Sequence, residues 1–116
     1  MYHLTLPIRT VSEANTREHW AKKAKLKARW ATLLALAGAI RAPKATGRRR
    51  MTVERHSPRA LDADNLAGGC KEVVTDVIKD FGLLVDDSPK HAELVYVHVP
   101  TRGERPFTVV VLEDLP

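Results

Sequence analysis

The residues of this chain best suited to chemistry form two acidic pairs, Asp62-Ala63-Asp64-Asn65 and Asp86-Asp87. In an extended segment residues i and i+2 point the same way, so Asp62 and Asp64 can aim at one point. The second pair closes a short apolar run, Leu83-Leu84-Val85. A helix between the pairs can return the chain to the same edge of a sheet, where three or four carboxylates then converge. Like charges that close repel unless neutralised, and Mg²⁺, with Mn²⁺ as a possible substitute, is the usual neutraliser. Such ions activate water and stabilise the charge of an in-line phosphoryl transfer. The pattern points to a metal-dependent nuclease.

Each piece also has a plainer reading. An isolated Asp-x-Asp is common on surfaces, Asp86-Asp87-Ser88-Pro89 is a good turn sequence, and Asp64 or Asn65 can cap a helix. Spacing alone leaves a metal cage and a structural acidic cluster both open. Two other sites are excluded. Leu66 and Ala67 stand where a calcium-binding helix-loop-helix needs an oxygen ligand and its turn glycine. Gly68-Gly69-Cys70-Lys71 lacks both the upstream glycine and the Ser/Thr after the lysine of a phosphate-binding loop.

Charge supplies a partner. The 116 residues carry a net +5. Residues 1–60 hold 14 Lys/Arg against three acids, a net +11, while residues 61–116 hold five against 11, a net −6. A basic half suits a polyanion, and nucleic acid is the usual one, because each neutralised phosphate releases counterions. Lys22, Lys25 and Arg29 share one face of a basic helix, with Lys23 and Lys27 beside it, and Arg48-Arg49-Arg50 follows. These eight cations are the expected DNA contacts. The longest apolar run, Ala31 to Ile40, spans ten residues, too few for a bilayer, and no basic-then-apolar signal opens the chain. Only one cysteine is present, so no internal disulfide framework or four-Cys zinc module is possible. A reducing, cytoplasmic setting is the expectation.

Positioning these residues takes a single α+β domain over residues 1–116, in the order β-α-β-α-β-β, with a mixed sheet packed by two helices. His3 to Ile8 alternates and suits a first strand. Asn15 and Glu18 resemble a capping box, and the helix-forming composition that follows predicts a helix to about Ile40. Trp30, Leu33, Leu34 and Ala37 make its apolar stripe. Arg48 to His56 reads as a second strand, with Met51, Val53 and Arg55 opposite Thr52 and Glu54. A second helix is expected from about Cys70 to Phe81, burying Val73, Val74, Val77, Ile78 and Phe81 and stopping at Gly82. Glu93 to Pro100 and Arg105 to Leu112 are the last strands, with Thr101-Arg102-Gly103-Glu104 as a hairpin connection. Trp20, Trp30, Phe81 and Cys70 suit buried or interface positions rather than chemistry. His19, His56, His91 and His98 show no ligand spacing.

The stretch Asp62-x-Asp64-Asn65-Leu66 … Lys71 … Asp76 … Asp86-Asp87 resembles the signature of RusA-type Holliday junction resolvases, and Ser12-Glu13-Ala14-Asn15 before a basic helix resembles that family's N-terminal pattern. The likeness covers most of the chain. It implies a RusA-like fold and a Mg²⁺-dependent homodimeric endonuclease that resolves four-way DNA junctions by paired nicks in recombination and repair, in a bacterial or phage-infected cell. Residue by residue, Asp62, Asp64 and Asp87 match the metal-binding aspartates, Asp86 an acidic neighbour, and Lys71 the essential lysine. Gly68-Gly69 stands as an insertion between Asn65 and Lys71 relative to the compact motif. The competing classes are a non-catalytic DNA-binding phage accessory protein and a nuclease for other branched DNA.

Overall fold

A computed structural model describes residues 1–7, 20–57, 74–102 and 105–116, with the backbone alone for 20–23. The expected element order is present: β1 (Tyr2–Leu6), α1 (Trp20–Ala37), β2 (Arg49–Ser57), α2 (Asp76–Asp80), β3 (Ala92–Pro100) and β4 (Phe107–Asp114). These make an α+β domain with a four-stranded mixed sheet ordered β1-β4-β2-β3. β4 runs antiparallel to both β1 and β2, and β3 runs parallel to β2. Three strands therefore end at one end of the sheet, at Leu6, Ser57 and Pro100, and β4 begins there. We call it the exit end, and the opposite one the entry end.

The expected hairpin between the last two strands does not form. β3 and β4 are not neighbours; the connection after Thr101 passes the end of β2, and the Thr101 N–H donates to the Ser57 carbonyl at 3.4 Å. β4 instead lies between β1 and β2 and hydrogen-bonds to both, with Val109-Val110-Val111-Leu112 directing apolar side chains to both faces of the sheet. β3 takes the edge, where its terminal Pro100 needs no donor.

β2 follows the expected alternation. Arg49, Met51, Val53, Arg55 and Ser57 are buried and the residues between them half-exposed. On that face α1 contributes Trp30 and Leu34, and α2 contributes Val77 and Ile78, to one core with Leu4, Leu6, Met51, Val53, Val110 and Leu112.

Both helices end on glycine. α1 closes at Ala37, three residues short of expectation, because Gly38 adopts φ +109°. The Gly38 N–H reaches the Ala35 carbonyl at 3.2 Å and the Ala39 N–H reaches Leu34 at 2.9 Å. The same pair of bonds recurs at Gly82, φ +75°, with Lys79 and Ile78 as acceptors at 2.9 and 3.2 Å. This is the Schellman closure, which needs a left-handed residue and so favours glycine. The expected second helix is described from Val74: Val74 and Thr75, both buried, form a wider helical turn that runs into α2 at Asp76, and the expected start at Cys70 and the buried Val73 lie outside the described residues. No described helix is long and apolar enough to cross a membrane.

Candidate functional site

The sheet delivers the chain to the first acidic pair. β2 ends at Ser57 at the exit end, and Asp62, Asp64, Asn65, Lys71 and Cys70 follow in residues 58–73, outside the described residues. The side chains at the end of β2 are polar as well as buried. Arg55, Ser57 and Thr108 are buried on the helix-bearing face, with Arg55 registered between His98 of β3 and Thr108 of β4. Among the described residues, Ser57 Oγ, His98 Nδ1 and Thr101 Oγ1 are buried without a hydrogen-bond partner.

The second acidic pair is built by a different device. Leu83 and Leu84 are buried in the core and anchor the loop. The His91 and Ala92 N–H groups both donate to the Ser88 carbonyl at 2.9 Å, which fixes the turn that enters β3. Asp86 and Asp87 are left half-exposed between these anchors. The Asp86 carboxyl is held below its usual range, first by the Asp87 backbone N–H, then by the Ser88 hydroxyl, with further help from Lys79. Lys79 Nζ lies 3.7 Å from Asp86 and 4.0 Å from Asp87. Those separations are too long for strong hydrogen bonds, so the ammonium neutralises the pair loosely. Sequence reading missed Lys79. Its signal was its place in the last turn before the Gly82 reversal, which folds the chain back past that turn.

This donor set suits a hard divalent cation in its chemistry: carboxylate oxygens only, one of them held ionised, and solvent-accessible. Among the described residues no three His, Cys, Asp or Glu side chains converge. Asp86 and Asp87 thus supply two carboxylates, and any further ligand would come from outside the described residues.

Asp76 pairs with Lys27 of α1 at 2.8 Å, tying the two helices together. Lys27 is thus spent on an intramolecular pair, though a half-exposed one of small energy. Lys25 and Arg29 are exposed on α1, and Lys22 and Lys23 belong to its first turn.

The Arg48-Arg49-Arg50 run divides three ways, because successive strand residues face opposite sides. Arg48 is exposed, its Nε donating to the Pro89 carbonyl at 3.3 Å. Arg50 lies on the face without helices, between Glu93 at 3.1 Å and Glu113 at 3.0 Å. The Glu93 hydrogen bond is the main cause of its raised pKa. Arg49 corrects the expectation that all three hold DNA. It is 5% exposed; its guanidinium bonds Asp114 at 2.6 Å, the Leu83 carbonyl at 3.1 Å and the Lys44 carbonyl at 3.4 Å. A buried guanidinium with three acceptors is part of the fold, where it joins the β2 start to the loop before the acidic turn. Arg49→Met is expected to lower stability by about 2–3 kcal/mol, since two inward carbonyls lose their donor. Denaturant unfolding reads the loss, and the salt slope of DNA binding should not change.

His56, assigned no role from sequence, sits 3.0 Å from Glu54 two residues earlier on the same strand face, and stacks on Phe107 at 4.2 Å. Trp30 is in the core as expected, and Phe81 packs half-buried against it. Compared with known proteins, the chain matches no protein-family model and no curated protein.

Proposed function

We propose that this chain is a Mg²⁺-dependent endonuclease that resolves four-way DNA junctions by paired nicks. The observation that carries the reading is the ordered set Asp62-x-Asp64-Asn65 … Lys71 … Asp86-Asp87, placed on a chain whose first 60 residues bear a net +11. Asp62, Asp64 and Asp87 would hold the ion, with Asp86 beside them. When bound, that ion lowers the pKa of water and offsets the charge gathering on the phosphoryl group. Lys71 donates to a phosphoryl or leaving oxygen. Lys22, Lys23, Lys25 and Arg29 grip the phosphates of the arms, with Arg48 as a further contact, and Lys27 joins them when it leaves Asp76. A four-way junction is nearly two-fold symmetric, so two opposed nicks call for two sites and hence a homodimer. The lone cysteine suits a reducing bacterial or phage-infected cytoplasm.

The test is incubation of a labelled four-way junction with the protein and Mg²⁺, with chelator as control. Paired nicks near the crossover are expected, and none with chelator. Intact binding without cleavage at any Mg²⁺ or Mn²⁺ concentration refutes the nuclease. Equal cutting of linear duplex, flaps and junctions assigns it to branched DNA in general. One observation favours the non-catalytic DNA-binding reading: Asp86 and Asp87 already have Lys79 as a counter-charge, as a structural turn would.

The basic helix has its own expected result. Lys25→Ala with Arg29→Ala weakens junction binding and reduces the slope of log affinity against log salt by about 1–2, roughly one for each phosphate left without its cation. An unchanged slope would make that face bare surface.

A further inference from the structure

β1, β2 and β3 are mutually parallel, since β1 and β2 both run antiparallel to β4, and a helix lies between each successive pair. Open sheets with such crossovers bind ligands beyond the carboxyl ends of their parallel strands, which here is the exit end. That end is unfinished in its hydrogen bonding. Ser57 is 0% exposed and its Oγ has no partner among the described residues; the buried His98 Nδ1 and Thr101 Oγ1 are in the same state. Register gathers the three. Ser57 stands opposite Pro100, His98 lies two residues earlier on β3, and the Thr101 N–H donates to the Ser57 carbonyl at 3.4 Å. Strand spacing and rise put their backbones within roughly 8 Å of one another. One orphaned hydroxyl is a local flaw, but three orphaned polar atoms at one strand end point to a missing ligand. Arg55 and Thr108 beside them are already engaged, so the open positions are those three.

The chemistry selects that ligand. Both hydroxyls can donate, and so can the imidazole at Nδ1, so all three can serve one acceptor group together. Two neutral hydroxyls next to a guanidinium are a poor cage for a divalent cation, which takes carboxylates. The charge around the cluster is positive, with Arg55 buried at 3% and Arg102 and Arg105 exposed. Of the described carboxylates toward this end, Asp76 is paired with Lys27, and Glu54 faces the other side of the sheet beside His56. We propose that the exit end is a phosphoryl-binding site, in which Ser57, His98 and Thr101 donate to the oxygens of one phosphate group. The site goes beyond the junction-cleaving reading and does not depend on it, because its probe is inorganic phosphate with chelator present.

The test is a titration of the full chain with inorganic phosphate at constant ionic strength, with chelator and without DNA, followed residue by residue by NMR. Saturable shifts at Ser57, His98 and Thr101 are expected. Ser57→Ala with Thr101→Val should raise the phosphate dissociation constant tenfold or more, while the free protein melts no lower, because the lost hydroxyls had no partners. His98→Leu should weaken binding as well, and His98→Asn, whose amide can stand in for the Nδ1 donor, should recover part of it. Lys90→Ala, at the entry end, should change nothing. A 5′-phosphorylated dinucleotide that binds more tightly than its unphosphorylated counterpart assigns the site to a phosphate monoester; equal binding of the two assigns it to the phosphodiester backbone. No saturable shift at the three residues overturns the proposal and leaves buried water as their partner. So do shifts confined to Lys25 and Arg29 of α1, or a Ser57/Thr101 variant that binds phosphate as wild type does.

Discussion

An Asp64→Asn variant is expected to lose junction cleavage by roughly a thousandfold, equivalent to about 4 kcal/mol of transition-state stabilisation, while binding the junction as well as wild type or better. The substitution keeps shape and hydrogen-bonding capacity but removes one anion. In the proposed site that anion is needed twice: as an oxygen ligand and as part of the charge that retains a divalent ion. Its removal also withdraws a repulsive charge from the phosphate backbone, so affinity holds or rises as catalysis falls. The comparison is single-turnover cleavage against gel-shift affinity, both with Mg²⁺. Binding is also measured with Ca²⁺, which supports occupancy of such sites without needing turnover. Full cleavage by the variant would remove Asp64 from the site. Equal loss of cleavage and binding would instead indicate a damaged fold, which a thermal melt separates. Asp87→Asn, in the described turn, gives the complementary experiment. Asp87 lies 4.0 Å from Lys79, so losing it leaves that lysine with Asp86 alone, and a purely structural turn predicts a lowered melting temperature without a Mg²⁺-specific effect.

The elements that were legible in the sequence are those whose signal is local. β2 shows period-two alternation from Arg49 to Ser57, and both helices stop on glycines that the backbone holds at positive φ. The burial of Arg49 was also derivable. The parity that places Met51, Val53 and Arg55 inward places Arg49 inward too, but three adjacent arginines read as one patch while the strand that separates them is ignored. What escaped was non-local. Thr101-Arg102-Gly103-Glu104 reads as a tight turn, and nothing nearby shows that β4 prefers two partners, β1 and β2, to an edge place beside β3. The pairing of β4 with β1 and β2 joins segments about 50 to 110 residues apart in the chain, and the apolar run Val109 to Leu112 does not distinguish it from the equally apolar β3. Lys27 and Asp76 are 49 residues apart, and no spacing rule pairs them. The candidate site divides in the same way. Its Asp62, Asp64 and Lys71 rest on sequence pattern, whereas Asp86 and Asp87 gain from the structure a fixed turn and the counter-ion Lys79.

The largest stability effect belongs to Trp30→Ala, expected to cost about 3–5 kcal/mol. Trp30 is 1% exposed and has the largest fully buried side chain among the described residues. It stands one turn before Leu34 on the α1 face that meets the sheet, and α1 has few other large residues to hold it there; Leu26 and Leu33 are only partly buried. Removing the indole opens a cavity that Ala cannot refill, and much of the shared core, Met51, Val53 and Val110 included, sits on a hydrogen-bonded sheet that relaxes little. For a domain of this size, total stability of ~5–15 kcal/mol makes that a large fraction, and the melting temperature should fall by roughly 10–20 °C. Trp30→Phe, which keeps a ring, should cost less than half as much. The same variant separates the two places considered for Trp30. In the core of one chain, the loss is the same at every protein concentration and leaves the dissociation constant of any dimer unchanged. Between two copies, it would shrink as protein is diluted. Burial among Leu4, Leu34, Ile78 and Leu112 puts it in the core, so the drop in melting temperature should not vary with concentration.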